Sequence, residues 1–226
     1  MVSYCVEYAL YIGEEKNIIY KKGQGIVLNE PSIIAHADDK PIAAGNSVLR
    51  FVNTAGKNSN IIFHSVVRHG YVQNLDMASI FLSAMFKKIG RITNCLVPTP
   101  SSLDANGVMD YKTAIMHASA TDTTVVFIPQ VITSAFELGY IPWQGDDPAL
   151  SIVIEGDVAD LAIISRGEII DGGTINNLNL LEDAKQRLVR KYPNAKLYEG
   201  NRLSVIHGAG KLLSKEAVVQ RIIELN

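Results

Sequence analysis

The chain has 226 residues, of which 47% are hydrophobic and 19% charged, and its formal net charge is -2. This composition can form a buried core and excludes a disordered chain, and the length suits one large domain or two smaller ones. The slight negative charge argues against a nucleic-acid-binding protein, which normally carries a basic excess or a basic stripe.

The cysteines, histidines and apolar runs exclude several further classes of protein. Cys5 and Cys95 lie in separate apolar runs without a CxxC partner, so we expect reduced thiols rather than a disulfide. The five histidines have no pairwise metal-ligand spacing, so we expect no metal site. No signal peptide or membrane-length apolar stretch is evident, which predicts a cytoplasmic protein without direct membrane insertion.

The periodicity of the first half of the chain predicts strands followed by alternating helices and strands. The predicted strands lie at 1–12, 18–20, 26–28, 32–37, 95–97 and 123–128. The predicted helices lie at 77–89, 106–118 and 131–138. Asp76 is the expected cap of the first of these helices.

The second half repeats this order of elements. It predicts strands at 151–154, 161–165, 168–170 and 203–206, and helices at 178–191 and 214–225. The repetition predicts a duplicated α/β unit with two sheets and helices packed on them. The turn at 142–148 is the best linker candidate. We therefore expect a first lobe at 1–145, with a small inserted subdomain at about 21–72, and a reduced second lobe at 146–226.

The run at 19–35 strongly resembles the segment that follows the first phosphate loop in MreB proteins, the bacterial actin homologues. Further segments resemble the same family in the same order, at 43–45, 68–72, 96–98, 163–165 and 206–213. The resemblance implies an actin-like, ribonuclease H-like, two-lobed α/β fold of mixed sheets with flanking helices. It also implies ATP in the cleft between the lobes, protofilaments of stacked subunits, and a role in cell shape at the inner face of the membrane.

The chain departs from the family where the phosphate loops should be. The family's first loop reads Asp-x-Gly-Thr, whereas this chain has Tyr11, Gly13 and Glu14 at the matching positions, with Glu15 next. These acidic side chains are expected to repel a triphosphate. Tyr11 replaces the metal-facing aspartate, so catalysis by this loop is not expected.

The second phosphate loop is also altered. Glu155 stands in for its aspartate, but the family's glycine run is missing and Asp157 adds negative charge. Without glycines the backbone cannot approach phosphate as closely. Gln130 lies where the family has a glutamate that orients water, and glutamine serves this purpose in some nucleotide hydrolases.

A third segment resembles the family more closely than the two phosphate loops do. The residues Gly208, Ala209, Gly210 and Lys211 resemble the family's late glycine-rich turn, predicted here between a strand and a helix. Such a turn can bind an anion at a helix N-terminus, or it can be a simple turn that glycine permits. Only 192–202 connects the helix at 178–191 to this turn, so one small subdomain of the family is expected to be missing. Ser101 and Ser102 follow a proline turn and predict a helix N-cap region rather than a nucleophile.

Three functions remain open from the sequence. The first is a non-catalytic actin-like structural or adaptor protein without a cofactor, which assembles with itself or with another actin-like filament protein. The second is a filament-forming protein that binds ATP and magnesium with weak ATPase activity. Its residual nucleotide-binding residues would be Gly13, Glu155, Gly208, Ala209, Gly210 and Lys211. The third is a regulator or capping partner of a full-length MreB-type filament.

Overall fold

The computed structural model describes residues 6–38, 40–52, 60–119, 123–144 and 147–225, and for some residues of the last helix only the backbone. The strands are β1 (Tyr8–Ile12), β2 (Lys16–Lys21), β3 (Gly25–Pro31), β4 (Ile33–Ala37), β5 (Lys40–Ala44), β6 (Ile61–Ser65), β7 (Val67–Arg68), β8 (Tyr71–Val72), β9 (Asn94–Thr99), β10 (Thr124–Pro129), β11 (Ala149–Glu155), β12 (Val158–Ser165), β13 (Glu168–Ile175) and β14 (Lys196–Asn201). The helices are α1 (Leu49–Val52), α2 (Leu75–Ile89), α3 (Ala105–Ser119), α4 (Gln130–Glu137), α5 (Leu181–Lys191), α6 (Arg202–Leu212) and α7 (Glu216–Leu225). Cys5, the start of the predicted first strand and two residues of the predicted linker lie outside the described residues.

The first sheet has the strand order β10-β9-β1-β2-β3. Its central strand, β1, is buried at every position, as expected for a strand covered on both faces. Strands β1, β9 and β10 are parallel, and β2 and β3 continue the sheet as antiparallel neighbours. The carboxyl ends of the three parallel strands therefore meet at one edge of this sheet.

The second sheet has the order β13-β12-β11-β14, with β11 antiparallel to β12 and parallel to β14. Helices α4 and α6 pack against each other, α4 mainly on the second sheet and α6 also on β1 and β2 of the first. One hydrophobic cluster includes Ala9, Val131, Val153 and Ala209, so the core runs from one sheet to the other. Helix α5 covers the opposite face of the second sheet through Leu188. The division at 145/146 stays a prediction.

A small third sheet, with the order β5-β4-β6, lies within the predicted inserted subdomain. Glu30 anchors this region, because its carboxylate accepts from Lys88 Nζ at 2.6 and 2.7 Å and from the Asn46 N–H at 3.0 Å. The predicted helix at 77–89 is α2, but its cap is Asn74 rather than Asp76. The Asn74 side chain accepts from the Met77 N–H at 3.0 Å, and Asp76 lies inside the first turn.

The predicted strand at 203–206 was wrong, because these residues lie in α6 and the strand before them is β14. Asn201 caps the helix: its side chain accepts from the N–H groups of Leu203 and Ser204, and the Ser204 hydroxyl accepts from the Asn201 N–H. The buried residues of α6 follow helical spacing, at Val205, Ile206, Ala209, Leu212 and, just beyond the helix, Leu213.

Among the described residues, no helix is long and apolar enough to cross a membrane. Within the same part of the chain, no group of three or more histidine, cysteine or acidic side chains is arranged to hold a metal ion.

Candidate functional site

The candidate site is a narrow cleft at the carboxyl ends of β1, β9 and β10, facing the turn between β11 and β12. Ligands commonly bind at such strand ends in α/β folds. The cleft has a volume of about 30 Å³, and its walls include residues from both halves of the chain: Tyr11, Gly13, Tyr111, Gln130, Glu155 and Asp160. The two altered phosphate loops therefore face each other here, as the sequence resemblance predicts.

Tyr11 and Glu155 close the floor of this cleft. The Tyr11 hydroxyl donates to Glu155 Oε2 at 2.5 Å, and the Glu15 backbone N–H donates to Oε1 of the same carboxylate at 3.3 Å. Burial raises the pKa of Tyr11 well above its usual value, and the nearby Glu155 carboxylate adds to this rise. Burial also raises the pKa of Glu155, although the hydrogen bonds from Tyr11 and Glu15 oppose the rise.

Gly13 lies directly against this pair. A Cβ atom at position 13 would stand 2.5 Å from Glu155 Oε1 and 2.6 Å from the Tyr11 ring. Any larger residue would displace the Glu155 carboxylate or the Tyr11 ring. The structure therefore brings together Gly13 and Glu155, two of the predicted nucleotide-binding residues. Gly13 lies against the Glu155 carboxylate, at the place where a phosphate was considered.

The remaining acidic residues of the loops point in different directions. Glu14 Oε2 accepts from the His69 backbone N–H at 2.9 Å, and the Glu15 carboxylate pairs with Arg202 at the start of α6. Asp157 is exposed in the turn between β11 and β12. Arg202 thus supplies a counter-charge that the sequence analysis did not identify.

The sequence analysis also missed Asp160, a fully buried carboxylate near the start of β12. Asp160 accepts from the Ser101 backbone N–H at 2.9 Å, from the Ser101 hydroxyl, and from Thr174 Oγ1 at 3.3 Å. The Gln130 side chain also hydrogen-bonds Asp160, and burial raises the pKa of this carboxyl. Ser101 is therefore part of the cleft rather than an N-cap of α3, and Ser102 Oγ donates to Thr174 Oγ1 at 2.5 Å.

The predicted glycine turn at 208–211 was wrong, because all four residues lie within α6 and far from its N-terminus. A Cβ atom at Gly208 would stand 1.8 Å from the Thr133 carbonyl oxygen, and one at Gly210 would stand 2.6 Å from the Tyr20 ring. Ala209 is fully buried, and Lys211 forms a 2.8 Å ion pair with Glu137. These glycines permit close packing of α6, and the structure gives them no helix N-terminus at which to bind an anion.

The hydroxyl and carboxylate groups of the cleft bond mainly to each other. The Ser101 hydroxyl donates to the Asp160 carboxylate, which also accepts from Thr174. Glu155 is engaged by Tyr11 and by the backbone of Glu15. The sequence carried no local signal for Asp160, Arg202 or Thr174, because each meets its partner only through the fold.

Two β-sheets that face each other across a cleft, with helices packed on them, are typical of an actin-like protein. Comparison with known proteins identifies the family. The family model for MreB/Mbl protein matches residues 6–216, so this chain belongs to the MreB/Mbl family. The chain is 25% identical over 177 residues to the cell shape-determining protein Mbl of Bacillus subtilis. That match covers 73% of this chain and 50% of Mbl, so the chain spans about half the length of this relative.

Solved structures support the same fold. MreB5 of Spiroplasma citri, solved with ADP and with AMPPNP, superposes with a TM-score of 0.66 at 23% identity, covering 84% of this chain and 58% of MreB5. The MamK double helical filament gives a TM-score of 0.60 at 11% identity, covering 82% of this chain and 59% of MamK. The predicted actin-like fold is confirmed, in a shortened form.

Proposed function

We propose that this protein is an actin-like structural or adaptor subunit that does not hydrolyse ATP. The observation that carries the proposal is the 2.5 Å hydrogen bond between the Tyr11 hydroxyl and Glu155, which joins the two phosphate-loop positions directly. The family resemblance implies an aspartate at each of these positions, and the first of the two faces a metal ion. Here they hold a phenol and the carboxylate that accepts from it.

The size of the cleft supports this proposal. Its cavity of about 30 Å³ suits about two water molecules, since one water needs roughly 10–15 Å³ measured in this way. Pockets for nucleotide-sized ligands are typically about 300–1,000 Å³. Tyr11 also presents a phenol that donates to Glu155 where the resemblance implies a metal-facing aspartate, so this arrangement of Tyr11, Gly13 and Glu155 does not fit magnesium and a triphosphate.

The negative charge of the two loops also supports the proposal that this protein does not hydrolyse ATP. The carboxylates of Glu14, Glu15 and Glu155 lie on the two loops that would surround the phosphates. Two like unit charges 4 Å apart repel by about 4 kcal/mol at an intermediate dielectric constant. Arg202 offsets part of this charge, but it already pairs with Glu15.

The structural role follows from the retained fold. MamK was solved as a double helical filament, and the chain keeps the two facing sheets over most of its length. We propose that these lobes assemble with further copies of this chain or bind another actin-like filament, in the cytoplasm. Weak ATPase activity and capping of a full-length filament are the alternative outcomes of the tests below.

The first test measures nucleotide binding and turnover. MreB5 of Spiroplasma citri is the positive control, because it was solved with both ADP and AMPPNP. We expect magnesium and millimolar ATP to raise the melting temperature of MreB5 and to leave that of this protein unchanged, without phosphate release. A clear shift or sustained phosphate release that is altered in Glu155→Ala would overturn the non-catalytic assignment.

The second test measures assembly by sedimentation and negative-stain microscopy without nucleotide. A structural subunit is expected to pellet alone as filaments, and an adaptor is expected to pellet only with a full-length MreB-type filament. Shortening of the partner filaments at substoichiometric amounts would instead identify a capping protein. If the protein neither pellets alone nor changes the partner filaments, the structural role is wrong.

A further inference from the structure

Several side-chain bonds cross the cleft between the two halves of the chain. From the first half, Tyr11, Glu15, Ser101 and Ser102 take part. From the second half, Glu155, Asp160, Thr174 and Arg202 take part. The contacts are Tyr11–Glu155 at 2.5 Å, Ser101–Asp160 at 2.9 Å through the backbone, Ser102–Thr174 at 2.5 Å, and the Glu15–Arg202 ion pair.

Two of these bonds differ from ordinary surface contacts because each has a buried partner, the acceptor Asp160 in one and the donor Tyr11 in the other. Asp160 is 1% exposed and Tyr11 is 3% exposed. Opening the cleft would separate the Glu155 carboxylate from Tyr11 and the Asp160 carboxylate from Ser101 until water replaced these donors, while Asp160 would keep Thr174. Bonds to charged acceptors are stronger than bonds between neutral groups, so opening is opposed at two separate points.

We propose that these eight residues form a latch, which holds the two sheets together across the cleft without a bound nucleotide. The inference deepens the proposed function and rests on it, because the latch occupies the space that nucleotide phosphates would need. A subunit closed by its own side chains keeps one conformation whatever the cellular ratio of ATP to ADP. Its assembly surface would therefore be permanently available.

The latch makes a prediction about residues that do not touch each other. If Tyr11 helps to hold the whole cleft closed, removing its hydroxyl must also loosen the Ser101–Asp160 bond further along the cleft. A purely local role of Tyr11 would leave that bond unchanged. The Ser101 backbone N–H reports on this bond, since it donates to Asp160.

The experiment is amide hydrogen exchange of the whole chain at neutral pH, without and with magnesium and ATP. In the unmodified protein we expect slow exchange at Ser101 under both conditions. Tyr11→Phe is expected to accelerate exchange at Ser101 roughly 10- to 100-fold relative to the amides of β1, as the loss of a charge-assisted bond implies. Tyr140→Phe, which removes a buried hydroxyl bonded to the Ile164 carbonyl, is the matched control and should leave Ser101 unchanged.

One more variant keeps the test decisive if Tyr11→Phe fails to fold. Ser102→Ala removes an exposed bond of the latch and should accelerate Ser101 a few-fold. If neither Tyr11→Phe nor Ser102→Ala accelerates Ser101 beyond the amides of β1, the latch is wrong while the proposed function stands. If the unmodified protein releases phosphate from ATP and ATP alters exchange at Ser101, the proposed function fails instead.

Discussion

The two sheets meet at two junctions of opposite character. At the helix junction, formed by α4 and α6, contact depends on shape: Gly208 brings α6 against the Thr133 carbonyl, and Ala135 and Ala209 are completely buried. At the cleft junction, formed by the latch, contact depends on hydrogen bonds and buried charge. Close apolar packing contains no titrating group, whereas the stability contributed by buried carboxylates depends on pH.

This difference indicates a division of roles. The helix junction fixes how the sheets are attached. Any side chain at Gly208 would collide with the backbone of α4 and force α4 and α6 apart. The cleft junction decides how tightly the free edges of the sheets are held. A change at the helix junction should therefore affect overall stability, and a change at the cleft should affect opening as well as stability.

The largest expected effect is at the helix junction. Gly208→Ala should destabilise the protein by about 3 kcal/mol or more, because the new Cβ would collide with backbone rather than with a movable side chain. Helix propensity alone would favour alanine by about 1 kcal/mol, so the sign of the effect is diagnostic. Urea unfolding measures it, with Leu203→Ala on the exposed side of α6 as the control. Equal or higher stability of Gly208→Ala would show that the helices can separate freely.

The next largest effect is at the cleft. Gly13→Ala should cost about 1–3 kcal/mol, because its Cβ would displace the Glu155 carboxylate from Tyr11. In the double variant with Glu155→Ala the alanine at position 13 gains room, so the two effects should be less than additive. A double-mutant cycle by urea unfolding measures this coupling. Simple additivity would mean that Gly13 does not support the Tyr11–Glu155 pair.

The pH dependence of stability distinguishes the junctions further. The folded-state pKa of Glu155 is raised by burial, so ionised Glu155 costs folding free energy at neutral pH, and this cost disappears as the pH falls through the folded-state pKa. Glu155→Gln avoids the cost and keeps an acceptor for Tyr11. We expect the variant to be more stable than the unmodified protein at pH 7, with the difference shrinking as the pH approaches about 4.

Thermal melts of both proteins across this pH range measure the difference. Glu168→Gln, at an exposed glutamate on β13, is the control and should show little difference at any pH. A Glu155→Gln variant that is less stable than the unmodified protein at pH 7 would mean that the ionised carboxylate is required for the latch.

The smallest expected effect concerns the ion pair at the rim of the cleft. Arg202 and Glu15 are 33% and 49% exposed in their side chains, so the pair should contribute only about 0.2–1 kcal/mol. Arg202→Ala should therefore change the melting temperature slightly, and the change should diminish at high salt. A large loss that salt does not reduce would place Arg202 among the essential parts of the latch.

Much of the fold follows from the sequence, because apolar spacing is a local property. The strands predicted at 151–154 and 161–165 are observed at Ala149–Glu155 and Val158–Ser165, and the helix predicted at 77–89 is observed at Leu75–Ile89. These strands are mostly apolar runs buried at nearly every position, and the buried residues of the helix follow the helix period. The first strand was predicted at 1–12, and among the described residues it begins at Tyr8. Residues 203–206 were assigned to a strand because four apolar or small residues suit either element. The helical spacing through Leu213 and the capping by Asn201 decide for a helix.

The candidate site was predictable only in part. The identities of Tyr11, Gly13 and Glu155 were informative because each replaces or retains a residue of a recognisable loop, and the fold places these loops side by side. Glu15 was expected to repel phosphate, but the structure pairs it with Arg202, 187 residues further along the chain. Asp160 and Ser101 are 59 residues apart, and no local pattern links them.

The sequence by itself determined many of the strands and helices, although not the helix at 203–206, and it determined which chemical groups the two loops can present. Only the tertiary structure decided that Tyr11 donates to Glu155, that Arg202 faces Glu15, and that Gly208 serves helix packing rather than anion binding. The physical reason is that burial patterns depend on residues a few positions apart. Hydrogen bonds and steric limits depend on which distant segments the chain path brings within a few ångströms.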